Sequence, residues 1–121
     1  MAGVEKLFVG NEKDAEETVE VVQNVLLPGE EVRVATKGLR DGFVLTNRRI
    51  LTVNKQGLTG RKIQILSLSL KAVTGFAIEN NGTFDLDAEL TVYGSGYGKL
   101  ELSFLRGFDM RKLAVALGEL L

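Results

Sequence analysis

A chain of 121 residues, 45% hydrophobic and 26% charged, has the size and composition of one globular core, which excludes disorder, a fibrous repeat and two ordinary domains. It contains no cysteine and no histidine, so disulfides, thiolate nucleophiles, imidazole bases and zinc or copper sites built on nitrogen and sulfur are excluded. The formal net charge of −1 does not announce nucleic acid or an acidic membrane as a partner.

In chain order, Met1 to Lys6 lack the basic start and long apolar stretch of a secretory signal, and no later run approaches the ~20 apolar residues of a membrane span. A cytoplasmic chain is the expectation. Asn11 is placed to cap a helix with the acid-weighted first turn Glu12-Lys13-Asp14, and Ala15, Val19, Val22 and Leu26 recur at helical spacing. Leu27-Pro28-Gly29 ends it, since proline disfavours helical geometry in the residue before it. Val21 and Val25 widen the stripe, so this helix is either deeply packed or has a partner. Residues 1–27 are therefore read as an N-terminal amphipathic helical extension to a domain at 28–121.

From residue 32 onward the pattern is β: apolar or β-branched runs at 32–36, 43–46, 50–53, 63–68, 73–78, 84–92 and 100–104, separated by glycine- and asparagine-rich turns. No connection has room for a crossover helix, so seven antiparallel strands are expected. A three-residue loop of Asn80, Asn81 and Gly82 pairs Ile78 with Phe84 and Phe76 with Leu86, which keeps one face apolar. Across Gly94 to Gly98 the same parity sets Tyr93 opposite Lys99 and buries Leu90, Val92, Leu100 and Leu102, with Tyr97 exposed at the tip. A final helix starts with Asp109 as cap, carries Met110, Leu113, Ala114 and Leu117 on one stripe, and has Phe108 placed to staple against Leu113.

Seven antiparallel strands and one terminal helix form the layout of the pleckstrin-homology superfold. The segment Gly42-Phe43-Val44-Leu45-Thr46-Asn47-Arg48-Arg49-Ile50-Leu51 resembles the strand-turn-strand signature of bacterial pleckstrin-homology-like domains, and Leu26-Leu27-Pro28-Gly29-Glu30-Glu31 is similar to the segment leading into that family's first strand. The resemblance implies two orthogonal sheets in a half-open barrel closed at one end by the C-terminal helix. It further implies no catalytic activity, no cofactor and a tendency to assemble into symmetric rings. Eukaryotic relatives that bind phosphoinositides carry a lysine near the first loop and a basic-x-basic group on the second strand. Lys37 matches the first, but the later pair, Arg48-Arg49, lies in the following turn and departs from that spacing.

Charge is unevenly distributed. Residues 1–31 carry eight acidic and two basic side chains, and residues 32–62 carry eight basic and one acidic. Lys37, Arg40, Arg48, Arg49, Arg61 and Lys62 form a candidate anion site, since guanidinium groups suit phosphate and carboxylate. The plainer reading is that the cationic strands neutralise the acidic helix, within one subunit or between neighbours, and it is the favoured one.

Asp85, Asp87 and Glu89 alternate on one strand face, but a straight strand lacks the wrapped geometry of a calcium loop, so no metal site is expected. Gly94 to Lys99 is not followed by the helix that a phosphate-binding loop feeds, and the sequon Asn81-Gly82-Thr83 reads as a turn. Nucleic acid is not expected, because the cationic segment offers only Phe43 as a stacking aromatic.

The reading is a mainly β domain with flanking helices, non-catalytic, binding copies of itself through Val21, Val25 and Leu27 or an open strand edge. The alternative is an anion- or phospholipid-binding module at the inner membrane face or an acidic protein surface, using the basic loops.

Overall fold

The structure, a computed structural model, describes residues 3–57, 61–80 and 88–121. It is mainly β with two helices, in the half-open two-sheet arrangement of a pleckstrin-homology fold. β2 (Val32–Lys37), β3 (Asp41–Thr46), β4 (Arg49–Gln56) and β5 (Lys62–Ser69) form one antiparallel sheet in chain order. β6 (Val73–Asn80), β7 (Ala88–Gly94) and β8 (Gly98–Phe104) form the second, with β1 (Gly3–Gly10) added beside β8. α1 (Ala15–Val22) lies between β1 and β2, and α2 (Met110–Leu120) follows β8.

The alternation of apolar residues explains where the core sits. Phe43, Leu45 and Ile50 from the first sheet meet Leu90, Val92, Leu100, Leu102 and Phe104 from the second, and Leu113 and Leu117 of α2 close the end. The Phe104 ring meets Phe43 edge-on at 5.7 Å and stacks on Phe108 at 4.4 Å. Asp109 caps α2 by accepting the Lys112 N–H at 3.0 Å, and Phe108 and Leu113 share the core as a staple requires.

A second core lies on the other face of the first sheet, where Val22 of α1 meets Val44, Leu51 and Val53, with Val19, Val21 and Leu26 packed around them. β3 is consequently buried on both faces from Gly42 to Thr46. Each fully buried aliphatic chain there contributes about 1.5–3 kcal/mol.

Five expectations are corrected. Residues Gly3–Gly10 are a strand rather than part of a helical extension: Leu7 and Val9 are buried while Lys6 and Phe8 are exposed, a period-two pattern too short to stand out. That strand runs parallel to β8, Gly3 beside Gly98, so the second sheet is not wholly antiparallel. Asn11 does not cap α1, because its Oδ1 accepts the Lys13 N–H at 3.0 Å in a turn and its backbone bridges to Lys37; the helix starts four residues later, after Asp14 in a left-handed conformation.

The partner of Ile78 is Leu90, and that of Phe76 is Val92, not Phe84 and Leu86. Both registers keep the same parity and bury the same face, so parity cannot choose between them. Phe84, Leu86, the turn Asn81-Gly82-Thr83 and the carboxylates Asp85 and Asp87 lie outside the described residues. Tyr97, finally, packs against the main core and is not an exposed tip, whereas Tyr93 opposite Lys99, Leu90, Val92, Leu100 and Leu102 stand as the parity requires.

The corner between β1 and β2 depends on Gly10. It sits at φ 70°, its carbonyl accepts the Leu105 N–H at 2.9 Å, and a Cβ there falls 2.0 Å from the Lys37 carbonyl oxygen. Gly10→Ala is expected to cost about 2 kcal/mol or more, read as a lower urea midpoint. Gly57→Ala, also at positive φ but with open space around it, should cost less; equal losses would show that the corner is not closely packed.

Candidate functional site

The turn into β2 is built around one carboxylate. In Leu27-Pro28-Gly29-Glu30, the Glu30 N–H donates to the Leu27 carbonyl at 2.9 Å and the Leu27 N–H donates back to Glu30 Oε1 at 2.9 Å. The Glu30 side chain is fully shielded from solvent. Arg49 grips it with two parallel bonds of 2.9 Å, Nε to Oε2 and Nη2 to Oε1, and the Thr46 hydroxyl donates to Oε2 at 2.6 Å. The same guanidinium also donates to the Val25 carbonyl and to Ser67 Oγ.

Asn47 completes the joint, accepting the Glu31 N–H on Oδ1 at 2.8 Å and donating its own N–H to the Glu31 carbonyl at 3.0 Å. Thr46 Oγ1 in turn accepts the N–H groups of Arg48 and Arg49, each at 3.0 Å. The two segments that carry the family resemblance are thus one hydrogen-bonded unit. The Arg49 hydrogen bonds hold the Glu30 carboxyl down at about 2 against the opposing effect of burial, with Thr46, the Leu27 N–H and the charge of Arg49 helping.

The six cationic candidates do not converge. Arg48 and Arg49 lie at the β3–β4 turn, while Lys37, Arg40, Arg61 and Lys62 lie at the opposite end of the sheet, about 17 Å away along β3. There the Arg40 carbonyl accepts the Lys55 N–H at 3.2 Å, and its guanidinium donates to the Gly57 carbonyl at 2.7 Å, bracing neighbouring loops. Glu17 and Thr18 of α1 line a depression of only about 20 Å³ together with Lys37, Arg40 and Lys55.

An apolar feature at that end has no signal in the sequence, because three separate segments build it. Leu39 is 99% exposed, and with Phe8 at 64% and Leu105 at 52% it rims a depression of about 370 Å³. Asp41 lines it; burial pushes its carboxyl up, opposed by the Phe8 N–H at 3.4 Å and by Arg40. Of the expected interface residues, Val21 is packed into the second core, whereas Val25 and Leu27 are close to half exposed. Phe43 is fully buried. Among the described residues no helix is long and apolar enough to cross a membrane, and no three carboxylates gather as a metal site.

The Glu30 carboxyl titrates lower in the folded than in the unfolded chain, so its stabilisation is present above about pH 4.5 and lost as pH falls toward about 2. Glu30→Gln should flatten the fall in stability across that window, by about 2 kcal/mol after allowance for the solvent that reaches Arg49, as read by urea titration at each pH. Arg49→Met, which leaves a buried carboxylate unpaired, should cost about 3 kcal/mol at pH 7. An unchanged pH profile in Glu30→Gln would mean the pair adds nothing to stability.

Known proteins resemble this chain in fold and in sequence. Residues 3–121 match the bacterial PH domain family. The chain is 43% identical over 77 residues to the uncharacterized protein YjqA of Bacillus subtilis (strain 168), a match that spans 64% of this chain and 62% of that protein's length. It superposes with a TM-score of 0.77 at 33% identity on a DUF1696 family protein with a pleckstrin-homology domain from Shewanella loihica PV-4, covering 88% of this chain and 92% of that one. A pleckstrin homology domain from Shewanella amazonensis SB2B gives 0.67 at 35% identity, covering 88% and 87%. With its fold and nearly its whole length matched, the chain belongs to the bacterial PH domain family.

Proposed function

We infer that this PH-like domain is a non-catalytic binding module that assembles with copies of itself into a symmetric homo-oligomeric ring. The observation that carries the reading is the exposed trio Phe8, Leu39 and Leu105 around one depression, an apolar surface of the kind that marks a contact site. It lies at one end of the sheet. Among the described residues β5 and β6 are each paired on one side only, with Ile63 and Ile78 exposed on them, and Val25 and Leu27 add a rim at the far end. Different faces meeting head to tail are what closes a ring.

Light scattering across a concentration series tests this. Wild type is expected as a discrete oligomer and Leu39→Asp/Leu105→Asp as a folded monomer. A monomeric wild type at all concentrations overturns the reading.

A second reading draws on the same end. Leu39 stands between Lys37 and Arg40, with Lys62 at the start of β5 at the same end, an arrangement suited to pressing an apolar tip into an anionic lipid surface. In sedimentation with vesicles of phosphatidylcholine and phosphatidylglycerol, this reading expects pelleting that is lost in Lys37→Glu/Arg40→Glu and retained in Arg48→Glu. Equal pelleting of wild type and the double variant rejects it.

A further inference from the structure

A depression of about 650 Å³ lies at the other end of the sheet, beside the Glu30–Arg49 joint. That falls within the ~300–1,000 Å³ usual for small-molecule sites. One side is polar and cationic, formed by Arg48 of the β3–β4 turn, Ser67 and Ser69 of β5, and Lys71 of the short turn that follows. The other side is apolar, with Leu70 and Val73 next to Leu120 and Leu121 at the end of α2.

Three observations narrow the occupant. First, the charged side chains lining this depression are all basic. Second, Arg49 is committed to Glu30, whereas Arg48 and Lys71 are exposed and have no ion pair among the described residues. Third, Ser67 Oγ accepts from Arg49 and Ser69 Oγ accepts from the Lys71 N–H at 3.2 Å, which leaves each hydroxyl its own O–H to donate. A guanidinium, an ammonium and two hydroxyl donors together suit a phosphate or carboxylate head. Leucine and valine side chains beside them suit an alkyl chain.

We propose that the depression between the Asn47–Arg48 turn, Ser69–Lys71 and the end of α2 is a binding site for a single-chain anionic amphiphile, a phosphate or carboxylate head carrying an alkyl tail, taken up from solution. The head sits between Arg48 and Lys71, and the tail lies along Leu70, Val73 and Leu121. The site is distinct from the Lys37, Arg40 and Lys62 end and does not depend on self-assembly.

The test is calorimetric titration of the full chain with dodecyl phosphate below its micelle concentration. Inorganic phosphate and dodecyl maltoside serve as head-only and tail-only probes. The expected result is saturable binding at one ligand per chain, at least tenfold weaker in Arg48→Glu/Lys71→Glu and several-fold weaker in Leu121→Ser. All three replaced residues are exposed, so the fold should hold, and circular dichroism checks that it does. Binding of inorganic phosphate or of dodecyl maltoside as tight as that of dodecyl phosphate overturns the proposal, as does unchanged affinity in the double variant. Absence of dodecyl phosphate binding, with Arg48- and Lys71-dependent pelleting on phosphatidylcholine–phosphatidylglycerol vesicles instead, also overturns it by assigning these cations to a bilayer headgroup.

Discussion

A carboxylate removed from water has to be met by a cation and by enough donors to replace its lost solvation, and the arrangement around Glu30 follows from that requirement. Arg49 supplies the cation, while Thr46 and the Leu27 N–H supply the remaining donors. Each of these comes from a different turn or strand end. Satisfying one charge therefore fixes how the chain leaves α1, how it enters β2, and how β3 turns into β4. The reach of the guanidinium to the Val25 carbonyl extends the same constraint to the last turn of the helical segment.

The first sheet then serves two cores at once. Its inner face closes the main core against the second sheet and α2, and its outer face is covered by α1. Thr18 ties that cover down, its buried hydroxyl donating to the Thr36 carbonyl at 2.8 Å, and Gly42 leaves room for Thr18 because a Cβ there would lie 2.4 Å from the hydroxyl oxygen. With both faces of the first sheet occupied, its contribution to a partner surface lies at its two ends and along its edge strands.

The strands from β2 to β8, the Asp109 cap and the buried sets on β7 and β8 were legible in the sequence, because burial on one side writes a period of two and a cap needs only one residue in the right place. β1 was not, since Lys6 and Phe8 leave only Leu7 and Val9 as its buried signal. The pairing of β6 with β7 was misread because parity is blind to a slide by an even number of residues.

Among the cationic residues the error was one of topology. Lys37, Arg40, Arg61 and Lys62 share an end, but a β-turn sends Arg48 and Arg49 to the other, and a one-dimensional charge count has no means to see it. That Arg49 neutralises Glu30 was equally hidden. The two are 19 residues apart and meet only once the sheet exists. Leu39, Phe8 and Leu105 likewise have no common pattern, being neighbours only in space.

The position of β1 beside β8 bears on the order in which the molecule is made. Its hydrogen-bonding partner lies roughly 95 residues further along the chain, so on a ribosome this strand emerges well before β8 and waits unpaired while the strands between them are synthesised. During that interval Leu7 and Val9 lack the second-sheet part of the core they enter, and the Gly10 carbonyl lacks the Leu105 N–H that closes its corner.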